Sequence, residues 1–158
     1  MKTEECILLD ELDRRILAAL QEDASVSNID LAVLVHASAP TCLRRVKRLT
    51  EAGVIERQVV LVAPGRVGPT LTAIVEITLD HQATEKLVEF EALVAQDAAV
   101  LQCYRVSPGP DFVLIVQVAD MPAYHALAHR LFAAHANVRN VRSFFSIHRS
   151  KFETRIAV

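Results

Sequence analysis

Apolar residues in the first third of the chain recur at the three- and four-residue spacing of amphipathic helices. The first run predicts a helix with apolar positions Leu9, Leu12, Ile16, Leu17 and Leu20. A second helix is predicted to begin after Ser27, because Ser27 and Asp30 have the spacing of a helix start. Its packed side is predicted to contain Leu31, Leu34 and Val35.

A third helix is predicted to follow almost at once. Ser38 can cap its N-terminus, Pro40 is tolerated in a first turn, and Gly53 is a natural C-terminal stop. We expect its packed side to contain Leu43, Val46 and Leu49. Three short helices with a tight break at 36–38 predict a helix-turn-helix.

The hydropathy pattern changes after Gly53. Residues 54–62 are rich in β-branched side chains and predict a strand or a small wing. Prolines and glycines then cluster, so we place a hinge between domains at 62–70. This assigns residues 1–61 to a winged helix-turn-helix domain and residues 71–158 to a second domain.

The second domain contains an internal repeat with an offset of about 41 residues, and each copy reads strand, helix, strand. The predicted elements are 71–79, 84–95 and 100–106 in the first copy, then 112–118, 122–133 and 138–148 in the second. Two such units in tandem predict a ferredoxin-like (ACT-like) βαββαβ sandwich, in which two helices cover one face of four antiparallel strands. The predicted fold class is therefore α+β.

The sheet face without helices is predicted to be only partly polar. Along the first strand, one face carries Ile74, Glu76 and Thr78, and the other carries Val75, Ile77 and Leu79. Because an exposed, partly apolar sheet face favours self-association, we expect a homo-oligomer.

Composition narrows the class of protein. Of the 158 residues, 52% are hydrophobic, which is enough for real cores. No apolar run reaches the roughly 18 residues of a membrane span and the N-terminus lacks a signal pattern, so a cytoplasmic protein without a membrane partner is expected. The widely separated Cys6, Cys42 and Cys103 are interpreted as reduced, mostly buried thiols.

The distribution of charge is more informative than its sum. The formal net charge of −2 by itself argues against a polyanionic partner. Residues 36–66, however, contain only two acidic side chains against six basic ones, which are Arg44, Arg45, Lys47, Arg48, Arg57 and Arg66. The basic region of the sequence is therefore the third helix and the segment that follows it.

The third helix has the spacing of a DNA-reading surface. Four positions at i, i+3, i+4 and i+7 share one face, namely Thr41, Arg44, Arg45 and Arg48. Arginines bond guanine edges or phosphates bidentately, and Ser38 and Thr41 can fix the register near the helix N-terminus. Lys47 and Arg57 are predicted to add attraction to the DNA backbone. A solvated basic face is the alternative, and the preceding helices favour double-stranded DNA as the partner.

At this point the sequence resembles the leucine-responsive and asparagine-type (Lrp/AsnC, feast/famine) transcription regulators along nearly its whole length. The matching segments are Leu12-Asp13-x-x-Ile16-Leu17, Ser27-Asn28-x-x-Leu31-Ala32, 42–49, 52–55, 103–106, Asp111-Phe112, Tyr124 and Val138-Arg139-x-Val141-Arg142. The resemblance implies a winged helix-turn-helix joined to a ligand-sensing domain. It also implies dimers through that domain, assembly to octamers, and amino-acid effectors bound between dimers.

One departure from the family pattern concerns the effector. The family's turn after the second sensing-domain strand usually reads Gly-x-x-Asp-(Tyr/Phe), whereas Pro108 stands here in place of the glycine and removes a backbone N–H. Gly109 can compensate through a shifted turn. Asp111 is placed to pair with an α-amino group or, alternatively, to cap the hairpin. The predicted effector-binding residues are Tyr104, Ser107, Gly109 and Asp111.

Other functional classes find less support in the residues. His125 and His129 have the i, i+4 spacing of a metal pair, but no third ligand is evident, so no metal and no cofactor are predicted. An enzyme is not predicted, because no phosphate loop, nucleophile elbow or acid–base pair is visible. The alternative function is a small-molecule sensor that acts on a protein partner without binding DNA, and the clustered charge of the third helix disfavours it.

Overall fold

The computed structural model describes residues 7–158, so the interpretation of Cys6 lies outside the described residues. The chain divides into two compact units, one made of residues up to 61 together with 151–158 and one of residues 62–150. The helices are α1 (Glu11–Glu22), α2 (Asn28–Leu34), α3 (Ala39–Glu51), α4 (Pro64–Val67), α5 (Thr84–Ala95) and α6 (Met121–Ala128). The strands are β1 (Leu71–Leu79), β2 (Val100–Arg105), β3 (Phe112–Val118) and β4 (Val138–Phe145).

The helices of the first unit begin at side-chain caps. Ser27 Oγ accepts the backbone N–H of Asp30 and Ser38 Oγ accepts that of Thr41, so both predicted N-caps are confirmed. The turn between α2 and α3 places His36 in the left-handed region, with φ of +53°. Gly53, with φ of +73°, follows the end of α3 as predicted. The three helices form the predicted helix-turn-helix.

The core of the first unit differs from the predicted apolar stripe at two positions. Leu34 and Leu43 are 61% and 62% exposed, so the prediction that they pack is wrong. In α3 the fully buried side chains are Cys42 and Leu49, and Val46 packs beside them. A helical spacing of apolar residues fits position 42 as well as position 43. The direction from which α1 and α2 approach α3 decides which of the two is covered.

Residues 54–62 were predicted to form a strand or a small wing, and the structure contains no strand there. Val54 and Ile55 pack against the core of the first unit, whereas Val60 farther along is 89% exposed. A strand needs a partner for its backbone groups, and no segment within 7–158 pairs with this one. The β-branched composition is therefore found in an irregular segment that is exposed from residue 56 onward.

The last residues of the chain contact the first unit, although the prediction grouped residues 71–158 together. The side-chain amide of Gln21 exchanges two hydrogen bonds with the backbone of Ile156, at 2.8 and 3.1 Å. Arg155 forms an ion pair with Glu22 beside it. The C-terminal half of α1 thus holds a tail that carries no periodic pattern of its own.

The second unit has the predicted βαββαβ topology. Its strands lie in the order β2-β3-β1-β4, and every neighbouring pair is antiparallel. The predicted helix at 122–133 is divided into α6 and a π-helical turn, His129–Ala133. β2 ends at Arg105, one residue before its predicted end, and β4 ends at Phe145, three residues before its predicted end.

The core of this unit lies between the sheet and its helices. Val75, Ile77 and Leu79 point inward from β1 and are buried, as the alternation predicts. The rings of Phe90 on α5 and Phe112 on β3 lie 4.9 Å apart within this core. Burying a side chain of this kind contributes about 1.5–3 kcal/mol, so these contacts account for much of the unit's stability.

The opposite face of the sheet carries both apolar and charged side chains. Ile74, Tyr104 and Phe144 are 41%, 52% and 45% exposed on it. On the same face, Glu76 and Arg142 form a cross-strand ion pair, with 3.2 Å between Arg142 Nη1 and Glu76 Oε2. The prediction of a partly apolar face is confirmed. Among the helices of residues 7–158, none is long and apolar enough to cross a membrane.

Candidate nucleic-acid interface

The third helix presents its basic residues in two different environments. Arg44 and Lys47 are exposed, and Lys47 is 74% accessible. Within residues 7–158, Arg44 forms no hydrogen bond or ion pair, and Lys47 has only a 3.8 Å contact with Glu51 one turn later. Both cations are therefore free to meet an anion.

Arg45 and Arg48 instead point toward the start of α1. Arg45 Nη1 donates to Asp10 Oδ2 at 2.6 Å and lies 3.3 Å from Asp13 Oδ1. Arg48 Nη2 pairs with the other carboxylate oxygen of Asp13. The Asp13 side chain is fully buried, so both arginines neutralise a charge that water cannot reach. The predicted single basic face is therefore split between an internal ion cluster and an outer surface.

The ion cluster also fixes the beginning of α1. Asp10 and Asp13 accept each other's backbone N–H, at 2.9 and 3.1 Å, which forms a reciprocal capping box. The hydrogen bond from the Asp13 backbone, and then the neighbouring Arg45, hold the pKa of Asp10 below its ordinary value. The hydrogen bond to Asp10 in turn raises the pKa of Arg45. The same carboxylates thus cap α1 and bind two arginines of α3.

Donors remain on the two paired arginines. The side chain of Arg48 is 42% accessible, although its Nε atom is buried and has no hydrogen-bond partner in the part of the chain that the structure describes. Arg45 is 23% accessible. Because each guanidinium has five N–H donors, both can still donate outward while they hold Asp13.

The other predicted contact residues lie at the ends of this region. Ser38 Oγ and Thr41 Oγ1 are 2.8 Å apart at the N-terminus of α3, so these hydroxyls bond to each other. Arg57 is exposed in the extended segment after α3 and lines a groove of about 710 Å³. The structure brings Ser38, Thr41 and Arg44 to the first turns of α3 and leaves Arg57 outside the helix.

Three of the four residues predicted to bind an effector, Ser107, Gly109 and Asp111, lie in the turn between β2 and β3. Asp111 Oδ2 accepts the backbone N–H of Leu79 at 2.7 Å, and its own N–H donates to Ile77 O at 2.8 Å. The Asp111 carboxylate therefore ties the turn to β1, which differs from the hairpin cap considered for it, and its pairing with an α-amino group stays a prediction. Ser107 and Gly109 are exposed in the turn, and Gly109 has a φ of +124° that residues with a side chain rarely adopt.

Tyr104 lies apart from the rest of this set. It belongs to β2 and faces the side of the sheet without helices, where its hydroxyl donates to Gln102 Oε1 at 3.0 Å. His125 and His129 line a shallow groove beside β4. No group of three metal-ligating side chains occurs in residues 7–158.

Sequence reasoning missed the carboxylates beneath α3. Asp10 and Asp13 have the spacing of a capping box, and an acidic pair at a helix start opposite a basic helix was the available signal. The pairing partners could not be read from it, because Asp13 and Arg48 are 35 residues apart. Only the packing of α1 against α3 brings them together.

Comparisons with known proteins agree with this arrangement. Residues 9–56 match the family model described as winged helix-turn-helix DNA-binding, and residues 72–156 match the Lrp/AsnC ligand binding domain. An HTH-type transcriptional regulator of Haemophilus influenzae is 36% identical over 94% of this chain and 88% of its own length. The DNA-binding transcriptional activator DecR of Escherichia coli is 33% identical over 96% of this chain and 99% of its own.

The solved structures show the same fold. The transcriptional regulator NMB0573 of Neisseria meningitidis, in complex with L-Met, superposes with a TM-score of 0.87 at 29% identity. The superposition covers 94% of this chain and 96% of that one. A helix-turn-helix with free cations on its third helix, followed by a matching ligand-binding domain, therefore identifies this chain as a DNA-binding transcription regulator that belongs to the Lrp/AsnC family.

Proposed function

We propose that α3 reads operator DNA in the major groove and that Arg44 and Lys47 make the principal outward contacts. The observation that carries this proposal is the free state of Arg44 on the exposed side of α3. A guanidinium with no internal partner can bond guanine O6 and N7 bidentately. Lys47, one turn farther along, is suited to a phosphate because its ammonium acts as a point charge.

The remaining predicted residues have supporting roles in this proposal. Ser38 and Thr41 fix the register at the helix N-terminus, where backbone N–H groups also attract phosphate. Arg45 and Arg48 add contacts through the donors that Asp10 and Asp13 leave unused. Arg57 adds long-range attraction to the backbone of the duplex.

The proposal is tested by measuring equilibrium DNA binding of Arg44→Ala and Lys47→Ala at several salt concentrations. Arg44→Ala is expected to cost about 1–3 kcal/mol on a selected operator and to relax the preference for one base pair. Lys47→Ala is expected to lower the affinity for all DNA sequences alike. It is also expected to reduce the slope of log affinity against log salt concentration by about one in magnitude. Arg139→Ala is the matched control, because it removes an exposed charge from the second unit.

Two results contradict this assignment. If the Arg44→Ala variant binds the operator as tightly as the wild type, Arg44 does not contribute to operator recognition. A full-length protein with no salt-dependent affinity for any DNA supports the alternative of a sensor that acts on a protein partner.

We also propose that an amino acid, or a related small metabolite, modulates DNA binding through the second unit. The support is the family match and the L-Met in the Neisseria structure. The candidate residues remain Tyr104, Ser107, Gly109 and Asp111, with Asp111 acting mainly by shaping the turn. A panel of amino acids is expected to contain at least one that shifts both the Tm and the DNA affinity, and no effect with any of them contradicts the proposal.

Self-association completes the proposed function. The sheet face that exposes Ile74, Tyr104 and Phe144 can bury apolar area against a second copy, giving a dimer that assembles further, up to an octamer. Ile74→Asp places a charge there and is expected to shift the sedimentation profile toward monomer. The protein acts by binding rather than catalysis, in the cytoplasm, where the DNA of bacteria and archaea lies.

A further inference from the structure

A leucine lies exposed on the helix that is otherwise basic on its outer side. Leu43 is 62% exposed, although the two buried positions of α3, Cys42 and Leu49, are completely covered. Leu43 is not part of the core cluster of the first unit. Its side chain therefore stabilises no interior and remains available to a partner of α3.

The position of Leu43 relates it to the proposed DNA contacts. Leu43 is the fifth residue of a helix that begins at Ala39, and it directly precedes Arg44. Leu43 and Lys47 are four residues apart and so lie along one edge of the helix. Because the N-terminal residues of a recognition helix approach base edges, Leu43 is placed where bases rather than phosphates are met.

The chemistry of the major groove offers one apolar group to such a side chain. Base edges there present nitrogen and oxygen acceptors, amino donors, and the 5-methyl group of thymine. We infer that Leu43 is a specificity-determining residue that packs on a thymine methyl next to the base pair contacted by Arg44. This inference rests on the proposed function, because it requires α3 to enter the groove.

The charges around Leu43 favour DNA over an apolar protein surface as its partner. Arg44 directly follows Leu43 and Lys47 lies about one helical turn beyond it. Within residues 7–158 Arg44 forms no ion pair, and the pair of Lys47 with Glu51, at 3.8 Å between exposed side chains, is weak. Burying these cations against an apolar protein surface would cost more free energy of desolvation than the burial of one leucine side chain contributes. Against a duplex, the phosphates meet the cations while the leucine reaches the base edge.

The test replaces each thymine of a selected operator, one at a time, by deoxyuridine, which differs only in lacking the methyl group. Full-length wild-type protein is expected to lose about fourfold in affinity at one thymine in each half-site. Leu43→Ala is expected to bind the thymine operator about fourfold more weakly and to be insensitive to uridine at that position. Leu43→Met, which keeps an apolar side chain, is expected to remain sensitive.

Controls separate this inference from the function on which it rests. Val88→Ala truncates an exposed aliphatic side chain on α5 and is expected to bind like the wild type. The Tm of each variant shows that its fold is retained. If the wild type and Leu43→Ala respond equally to uridine at every position, the inference is wrong while salt-dependent operator binding stands. Absence of all DNA binding overturns both.

Discussion

Two carboxylates hold the segments that carry the two candidate sites of this protein, and they do so with different chemistry. Asp13, beneath the reading helix, is fully buried between the guanidinium groups of Arg45 and Arg48. Asp111, at the turn of the ligand-binding domain, is only partly buried and accepts a neutral backbone N–H from Leu79 at 2.7 Å. The first segment is fixed by charge and the second by a hydrogen bond.

In both candidate sites, some of the polar side chains form internal bonds and others remain exposed. In the helix-turn-helix, Asp13 engages two of the basic side chains of α3, Arg45 and Arg48, whereas Arg44 and Lys47 remain exposed. In the β2–β3 turn, Asp111 is the predicted partner of an α-amino group, and its carboxylate accepts the backbone N–H of Leu79, which ties the turn to β1. Both segments use side chains first for their own architecture.

The largest expected effect comes from removing the charge beneath α3. Asp13→Ala should lower the free energy of unfolding by about 3 kcal/mol, because Arg45 and Arg48 lose a buried counter-charge and α1 loses part of its cap. Asp13→Asn should recover little of this loss, since the amide carries no charge. Denaturant unfolding measures both, with exposed Glu11→Ala from the same helical turn as the control. Full stability of Asp13→Asn contradicts a charge-based role.

A smaller effect of a different kind is expected at the turn. Asp111→Ala should cost about 1–2 kcal/mol, because the N–H of Leu79 loses its acceptor. Asp111→Asn should recover most of that loss, since an amide oxygen accepts the same hydrogen bond. Exposed Asp80→Ala, next to Leu79, is the control. Equal losses for the Ala and Asn variants at both carboxylates would erase the contrast between charge and hydrogen bond.

The smallest effect is a pH dependence carried by Asp10. Its pKa lies below the ordinary value of 3.8, first because it accepts the N–H of Asp13 and then because Arg45 lies beside it. A lowered pKa in the folded state contributes stability that is present above the unfolded value and is lost as the pH falls through the folded value. Asp10→Asn should therefore flatten the loss of stability below about pH 4, measured as Tm against pH. An unchanged acid profile contradicts the coupling.

Much of this fold followed from short-range patterns. Helical spacing and capping residues placed α2 and α3, and the repeat with its alternating strands predicted the sheet and its partly apolar face. The helix-turn-helix and the βαββαβ topology are confirmed. The prediction failed for 54–62, where β-branched residues indicated a strand but no other described segment supplies the backbone partner that a strand requires.

The sequence analysis located the basic helix of the candidate interface. It did not predict which of the arginines pair with internal carboxylates and which remain exposed. The basic run of α3 appears in the sequence itself, because clustered arginines at helical spacing need no tertiary information. Whether Cys42 or Leu43 is covered, and whether Arg45 or Arg44 is free, depends on the angle at which α1 packs on α3. Neighbouring residues of a helix point in directions that differ by about 100° around its axis, so a change in the packing angle changes which of them is covered. The basic character of α3 and its place in a helix-turn-helix follow from local composition and spacing, whereas the packing of α1 and α2 against α3 sets which of its side chains face outward.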